Sequence, residues 1–248
     1  MITIFIIGTG NLGTQLCQAI ESTNSKQIQL IGYANKSNEI VAQINAPLIS
    51  NRVPDCDLTI LAVPDDAIAA VSSKITTDSI VVHTSGSAPM NILESHSNHG
   101  VFYIPQTFSK NRSVDFSDVT ICLESSNNNV MKQLEVLASS LSRKRKPINS
   151  HQRQQLHLAA VYMNNFVNHC YFKSSELLKD ANLEAELLEP LMNETLAKAQ
   201  DSGSFAAQTG PARRGDDQTI QRHLQQLKEL DREMYLALSE SIKNTYET

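Results

Sequence analysis

The first thirteen residues constrain the fold most. Ile2-Thr3-Ile4-Phe5-Ile6-Ile7 is an isoleucine-rich run, the pattern of a strand buried on both faces of a parallel sheet. It leads directly into Gly8-Thr9-Gly10-Asn11-Leu12-Gly13, and a helical period follows at Leu12, Leu16, Ala19 and Ile20. In such a strand–turn–helix, the first glycine permits the tight turn. The second lets a pyrophosphate approach the backbone, and the third lets the helix pack against the strand. The helix start then offers free N–H groups and a positive dipole end to phosphate. The stretch predicts a dinucleotide site built on Gly8, Thr9, Gly10, Asn11, Leu12 and Gly13. The alternative is a glycine-rich turn that binds nothing.

The next strand, Ile28–Tyr33, bears on the choice of cofactor. A site for NAD usually carries Asp or Glu at its end to hold the ribose hydroxyls. Here the residues are Ala34-Asn35-Lys36-Ser37. A cation at Lys36, a hydroxyl at Ser37 and an amide at Asn35 suit a 2′-phosphate, so NADP is expected over NAD. A third strand, Asp57–Val63, should bring Val63 and Pro64 to the crevice beyond the strand ends, with Asp66 capping a helix over 67–74. A fourth, Ser79–His83, ends in Thr84-Ser85-Gly86-Ser87, where small residues at Ser85 and Gly86 allow a nicotinamide to approach. Val101–Ile104, Val119–Leu123 and the stretch around 146–148 read as further strands, with a helix over about 129–141.

From His151 the pattern turns helical, over 151–173, 175–180, 184–201 and 217–246, the last able to break in two. The expected organisation is a nucleotide-binding domain over 1–149 and an all-helical domain over 150–248. The helix around 156–169 is apolar enough to suggest burial on several sides. His157, Asn164 and Asn168 would share one narrow stripe of it. Buried amides and imidazoles demand hydrogen bonds, so the stripe is either a structural network or a pocket wall. Histidine can act as an acid near neutral pH, and asparagines can orient a carbonyl or imine. The loop Ser204–Asp216 is the second candidate. Arg213 and Arg214 could clamp an anion, or could simply be exposed, and Asp216 reads as the cap of the next helix.

Composition narrows the partners. The chain has 248 residues, 41% of them hydrophobic, and a net charge of −5 with mixed signs throughout. That gives no reason to expect a nucleic-acid or membrane partner. No signal peptide or membrane-spanning run is read, and no metal site is expected. Cys17, Cys56, Cys122 and Cys170 are scattered, as reduced cysteines of a cytoplasmic protein would be.

Taken together, the glycine motif, His83-Thr84-Ser85-Gly86-Ser87, Gln106-Thr107-Phe108-Ser109, the His157–Asn168 helix and Thr209–Asp216 followed by Ile220 and His223 carry a resemblance. They are similar to an uncharacterised family of Rossmann-like proteins with a helical C-terminal domain of unknown function. That family is related to pyrroline carboxylate reductase and to deazaflavin-dependent NADP oxidoreductases, within the 6-phosphogluconate dehydrogenase-like superfamily. The resemblance covers nearly the whole chain, and its C-terminal motifs are the specific part. It implies a doubly wound, mostly parallel α/β domain, a helical domain that often mediates homodimerisation, and a substrate cleft between them.

The expected activity is hydride transfer between NADP and a small anionic carbonyl or imine compound. His157, Asn164 and Asn168 are the candidate catalytic residues, and Gln106, Arg213 and Arg214 the candidate substrate contacts. The chain departs from the wider superfamily in two places. It lacks the lysine often found on the first long C-terminal helix, and it has Tyr103-Ile104-Pro105 where relatives often show His-Pro. The rival reading is a non-catalytic nucleotide sensor or scaffold. Polar side chains converging on the nicotinamide position separate the two.

Overall fold

The computed structural model of the chain describes residues 1–50, 52–109 and 112–246. Seven strands form one sheet: β1 (Ile2–Ile7), β2 (Ile28–Ala34), β3 (Leu58–Leu61), β4 (Ile80–His83), β5 (His99–Tyr103), β6 (Ile121–Ser125) and β7 (Arg145–Pro147), in the order β2-β1-β3-β4-β5-β6-β7. All neighbouring pairs are parallel except β5 and β6. The apolar runs account for this. β3 and β4 are buried along their whole length, as strands covered on both faces must be.

The chain leaves β1 for β2 on one side and returns to β3 on the other. The order therefore reverses at β1, and the carboxyl ends of β1 and β3 flank the switch point where such sheets bind ligands. Helix α1 (Asn11–Ser22) follows β1 and buries Leu16, Cys17 and Ile20 in the main core. Helix α3 (Asn128–Leu141) adds Val130, Leu134 and Leu137 to that core. Between them lies α2 (Ile68–Ser72), whose Ile68 packs with Leu61, Val81 and Leu93.

Several sequence expectations shift here. The third strand is shorter than 57–63. The turn after it is a 3₁₀ helix, Asp65–Ala67, and Asp66 lies inside it and caps nothing. The seventh strand starts at Arg145, one residue earlier than expected.

The chain divides into two compact units, the first Met1–His169 and the second beginning at Cys170. In the first, α4 (Ser150–Ala160) opens on a capping box. The Asn149 side chain accepts from the Gln152 amide at 2.9 Å, and the Gln152 side chain accepts from the Asn149 amide at 3.0 Å. A π-helical segment, Val161–Phe166, follows, and α5 (Val167–Asp180) continues from it. The expected 151–173 and 175–180 helices are thus not separate, and a π segment interrupts the run.

The second unit contains α6 (Glu189–Ser202), the short α7 (Ser204–Ala207) and α8 (Pro211–Arg214), then α9 (Asp217–Gln226) and α10 (Glu229–Tyr246). The last predicted helix does break in two. Asp216 caps α9 by accepting from the Thr219 amide at 3.0 Å. Among the described residues no helix is long and apolar enough to cross a membrane, and no cluster of metal-binding side chains occurs.

Candidate functional site

The glycine turn is built by steric exclusion. Gly8 has φ 105°, a left-handed value that favours glycine, and a Cβ there would stand 2.3 Å from the Ala62 carbonyl oxygen. A Cβ on Gly13 would lie 2.0 Å from the Gly8 oxygen. These two glycines let β1, β3 and α1 close on one another. Gly10 differs, because a Cβ there would meet nothing within 4 Å. Its surroundings are open, and its role is not internal packing. Gly10 is also the N-cap of α1, so no side chain occupies the first-turn amides. An open backbone beside uncapped N–H groups fits a phosphate. Leu12 packs against the core, and the Asn11 side chain donates to the Phe108 carbonyl at 3.0 Å, tying the loop after β5 to the start of α1.

The loop after β2 is organised by Asn35. Its Nδ2 donates to Thr9 Oγ1 at 3.2 Å and to the Glu39 carbonyl at 2.9 Å. Its Oδ1 accepts from the Ser37 hydroxyl at 3.2 Å and the Glu39 amide at 3.3 Å. Asn35 therefore fastens the loop to the glycine turn, while Lys36 and Ser37 are exposed at its tip. Val63 is half-buried beside Gly8 and Pro64 is exposed. Asp65 accepts a short hydrogen bond from the Ser87 hydroxyl, linking the loops after β3 and β4.

At the end of β4 the backbone turns through Thr84–Ala88. Ser85 Oγ accepts from the amides of Ser87 and Ala88 at 3.1 and 2.9 Å. His83 is wholly buried, and its Nδ1 accepts from the Ser85 amide at 3.2 Å. The proton therefore sits on Nε2, which lacks a hydrogen bond of good geometry. Burial first, then the nearby Arg153 guanidinium, push the His83 pKa down to about 4, so the ring is neutral at pH 7.

Against this turn stands a polar pair. Tyr103 Oη, at the end of β5, lies 3.2 Å from Nδ1 of His157 on α4, with the rings edge to face. A Cβ on Gly86 would come within 2.6 Å of His157 Nδ1 and 2.8 Å of the Tyr103 ring. The absence of a side chain at position 86 is what lets the pair sit there. Burial raises the Tyr103 pKa to about 12, which keeps the phenol protonated.

The other sequence candidates are more dispersed. Asn164 lies in the π segment and Asn168 in α5, and both are exposed. The uniform 3.6-residue period behind the stripe fails, because π turns bond i to i+5. The expected burial of this helix also fails. Tyr162 is 64% exposed and Met163 81%, a broad apolar surface open in the single chain. Gln106 is exposed, and its Oε1 accepts from the Thr107 amide. In the second unit, Arg213 lies over the Tyr246 ring at 4.5 Å, Arg214 is exposed, and His223 Nδ1 is 2.8 Å from the Tyr235 hydroxyl.

Sequence reasoning missed Tyr103, Arg153 and Glu124. Arg153 and Glu124 form a buried pair, with Nε and Nη2 both 3.1 Å from Glu124 Oε2. One signal was available: Glu124 is a carboxylate directly after the apolar run Ile121-Cys122-Leu123 of a buried strand.

Two family models match the chain: a Rossmann-like domain over residues 1–107 and the domain of unknown function DUF2520 over residues 119–242. The chain belongs to the DUF2520 family, with a Rossmann-like domain at its N-terminus. Similar solved structures include a putative NADP oxidoreductase of Bacteroides fragilis, 34% identical, with 98% of each chain covered and a TM-score of 0.89. A Thermotoga maritima protein is 20% identical over 98% of each chain, with a TM-score of 0.70. A Plasmodium falciparum pyrroline carboxylate reductase with NADP bound is 13% identical, covering 99% of this chain and 97% of its own, with a TM-score of 0.61. These last two share the fold. No curated protein matches the chain.

Proposed function

We propose that this protein is an NADP-dependent oxidoreductase that reduces, or in reverse oxidises, a small anionic carbonyl or imine compound. The observation that carries the reading is the Tyr103–His157 pair against Gly86, beside the carboxyl end of the sheet. A sensor has no need of a proton donor there. The likeness to the putative NADP oxidoreductase of Bacteroides fragilis points the same way.

The residues at the switch point suit NADP. The open Gly10 backbone and uncapped α1 amides suit the pyrophosphate, with Gly8, Thr9, Asn11, Leu12 and Gly13 framing it. Lys36 and Ser37, on a loop fixed by Asn35, suit the 2′-phosphate. Val63, Pro64, Ser85 and Gly86 would border the nicotinamide half. NADPH, when bound, supplies the hydride that reaches the substrate carbon. The chain's own residues must then deliver a proton to the carbonyl oxygen or imine nitrogen. As an imidazolium, His157 would donate Nδ1–H to the Tyr103 oxygen and pass its Nε2 proton to the substrate oxygen or nitrogen, ending as the neutral imidazole. Tyr103 would fix the orientation of the ring. Asn164 and Asn168 would orient the polar substrate group. Gln106, Arg213 and Arg214 are assigned to its anionic part by the chemistry of amide and guanidinium.

The same reading includes a homodimer in the cytoplasm. Large apolar side chains such as Tyr162, Met163, Leu187 and Leu191 stand exposed, and a second copy is the occupant that resemblance to the family suggests.

The test is loss of reduced-nicotinamide absorbance with a panel of small keto and imino acids. With an active acid in hand, His157→Ala should lower the rate about 100-fold or more, and Tyr103→Phe less. Turnover indifferent to both substitutions would refute the assigned roles.

A further inference from the structure

Arg153 has no exposed surface. Its Nη1 donates to three carbonyls of one turn: Ser85 at 3.0 Å, Gly86 at 3.2 Å and Ala88 at 2.7 Å. Its other edge holds Glu124, and Nη2 reaches the Ser150 hydroxyl at 3.4 Å. Ser150 in turn donates to Glu124 Oε1 at 2.5 Å. The guanidinium is saturated by the protein, so it is not a substrate clamp. What it fixes is the backbone of 85–88, through α4, one turn before His157 on the same helix.

We propose that Arg153, held by Glu124, is a positioning residue of the cofactor site. It sets the Ser85–Gly86 backbone against which the nicotinamide half docks and keeps His157 in register with it. The inference rests on the nucleotide reading above. A purely stabilising role is a poor account of the arrangement. Burying an ion pair costs desolvation that apolar packing of similar volume avoids, so such pairs are weak devices for stability. A planar fork that gathers three carbonyls and a carboxylate fixes geometry instead.

The test compares two ligands on the full-length chain. NADPH spans the whole site, whereas adenosine 2′,5′-bisphosphate lacks the nicotinamide half. Dissociation constants are measured for the wild type, Arg153→Met, Arg153→Lys and Glu124→Gln. The variants should bind NADPH about tenfold or more weaker, as loss of charged hydrogen bonds implies, and the bisphosphate almost unchanged. Arg153→Lys should fall between Met and wild type. Glu124→Gln decides the matter if Arg153→Met does not fold. Equal losses for both ligands, or no loss for either, in a folded variant would overturn the positioning role while the nucleotide reading stands. A wild-type chain that binds neither ligand would overturn both.

Discussion

The His83 imidazole, buried at the end of β4 and bonded to the Ser85 amide, shows what the fold does to a single residue. Its pKa of about 4 lies below the unfolded value of 6.5, because burial and the Arg153 charge oppose protonation. Between those values the unfolded chain takes up a proton that the folded chain refuses. Stability is therefore full above pH 6.5 and falls as pH drops towards 4, by up to about 3 kcal/mol. NMR titration should show one ring resonance, absent in His83→Asn, that holds its neutral shift until about pH 4. A midpoint near 6.5 for that resonance would contradict the assigned environment. The sequence could not disclose this, since a histidine ending a strand reads alike whether its ring is buried or wet. Tyr103 and Arg153 were hidden for the same reason, as their meaning lies in partners 54 and 29 residues away.

The β1–turn–α1 element was the most legible part of the chain. Its geometry is local: Gly8 answers a contact with Ala62, just past the adjoining strand β3, and Gly13 one with Gly8 itself. The glycines nevertheless divide into two kinds that sequence alone could not separate. Gly13→Ala puts a Cβ on the Gly8 backbone and should destabilise the domain, lowering Tm clearly. Gly10→Ala meets nothing within 4 Å, so it should leave Tm unchanged and weaken NADPH binding at least about tenfold. Equal melting losses in both variants would show that Gly10 is structural. The α4–α5 run was misread in sequence because a helical period assumes one continuous geometry. The π segment at Val161–Phe166 breaks it, and Asn164 and Asn168 are exposed instead of buried. Such segments often occur at functional sites.

For the whole molecule, the apolar periodicity that predicted buried helices was real, but it predicts burial without saying against what. In the second unit Leu187 is 61% exposed and Leu191 60%, beside a groove of about 440 Å³ lined by Tyr171, Leu178 and Met192. A proposed second copy would cover this surface. Light scattering at micromolar concentration should give a dimer for the wild type and a shift towards monomer for the Leu187→Glu, Leu191→Glu double variant. A wild-type monomer would remove the homodimer from the account. The sheet, by contrast, was readable because the buried faces of β1 to β6 are covered within their own unit.

The most direct test of the nucleotide assignment is a fluorescence titration of the purified chain with NADPH and with NADH, repeated on Lys36→Ala. The account predicts saturable NADPH binding, weaker NADH binding, and a Lys36→Ala variant that loses much of that preference while its NADH affinity holds. If neither nucleotide binds at high micromolar concentration, the glycine turn is only a strand-to-helix connection and the oxidoreductase reading is wrong.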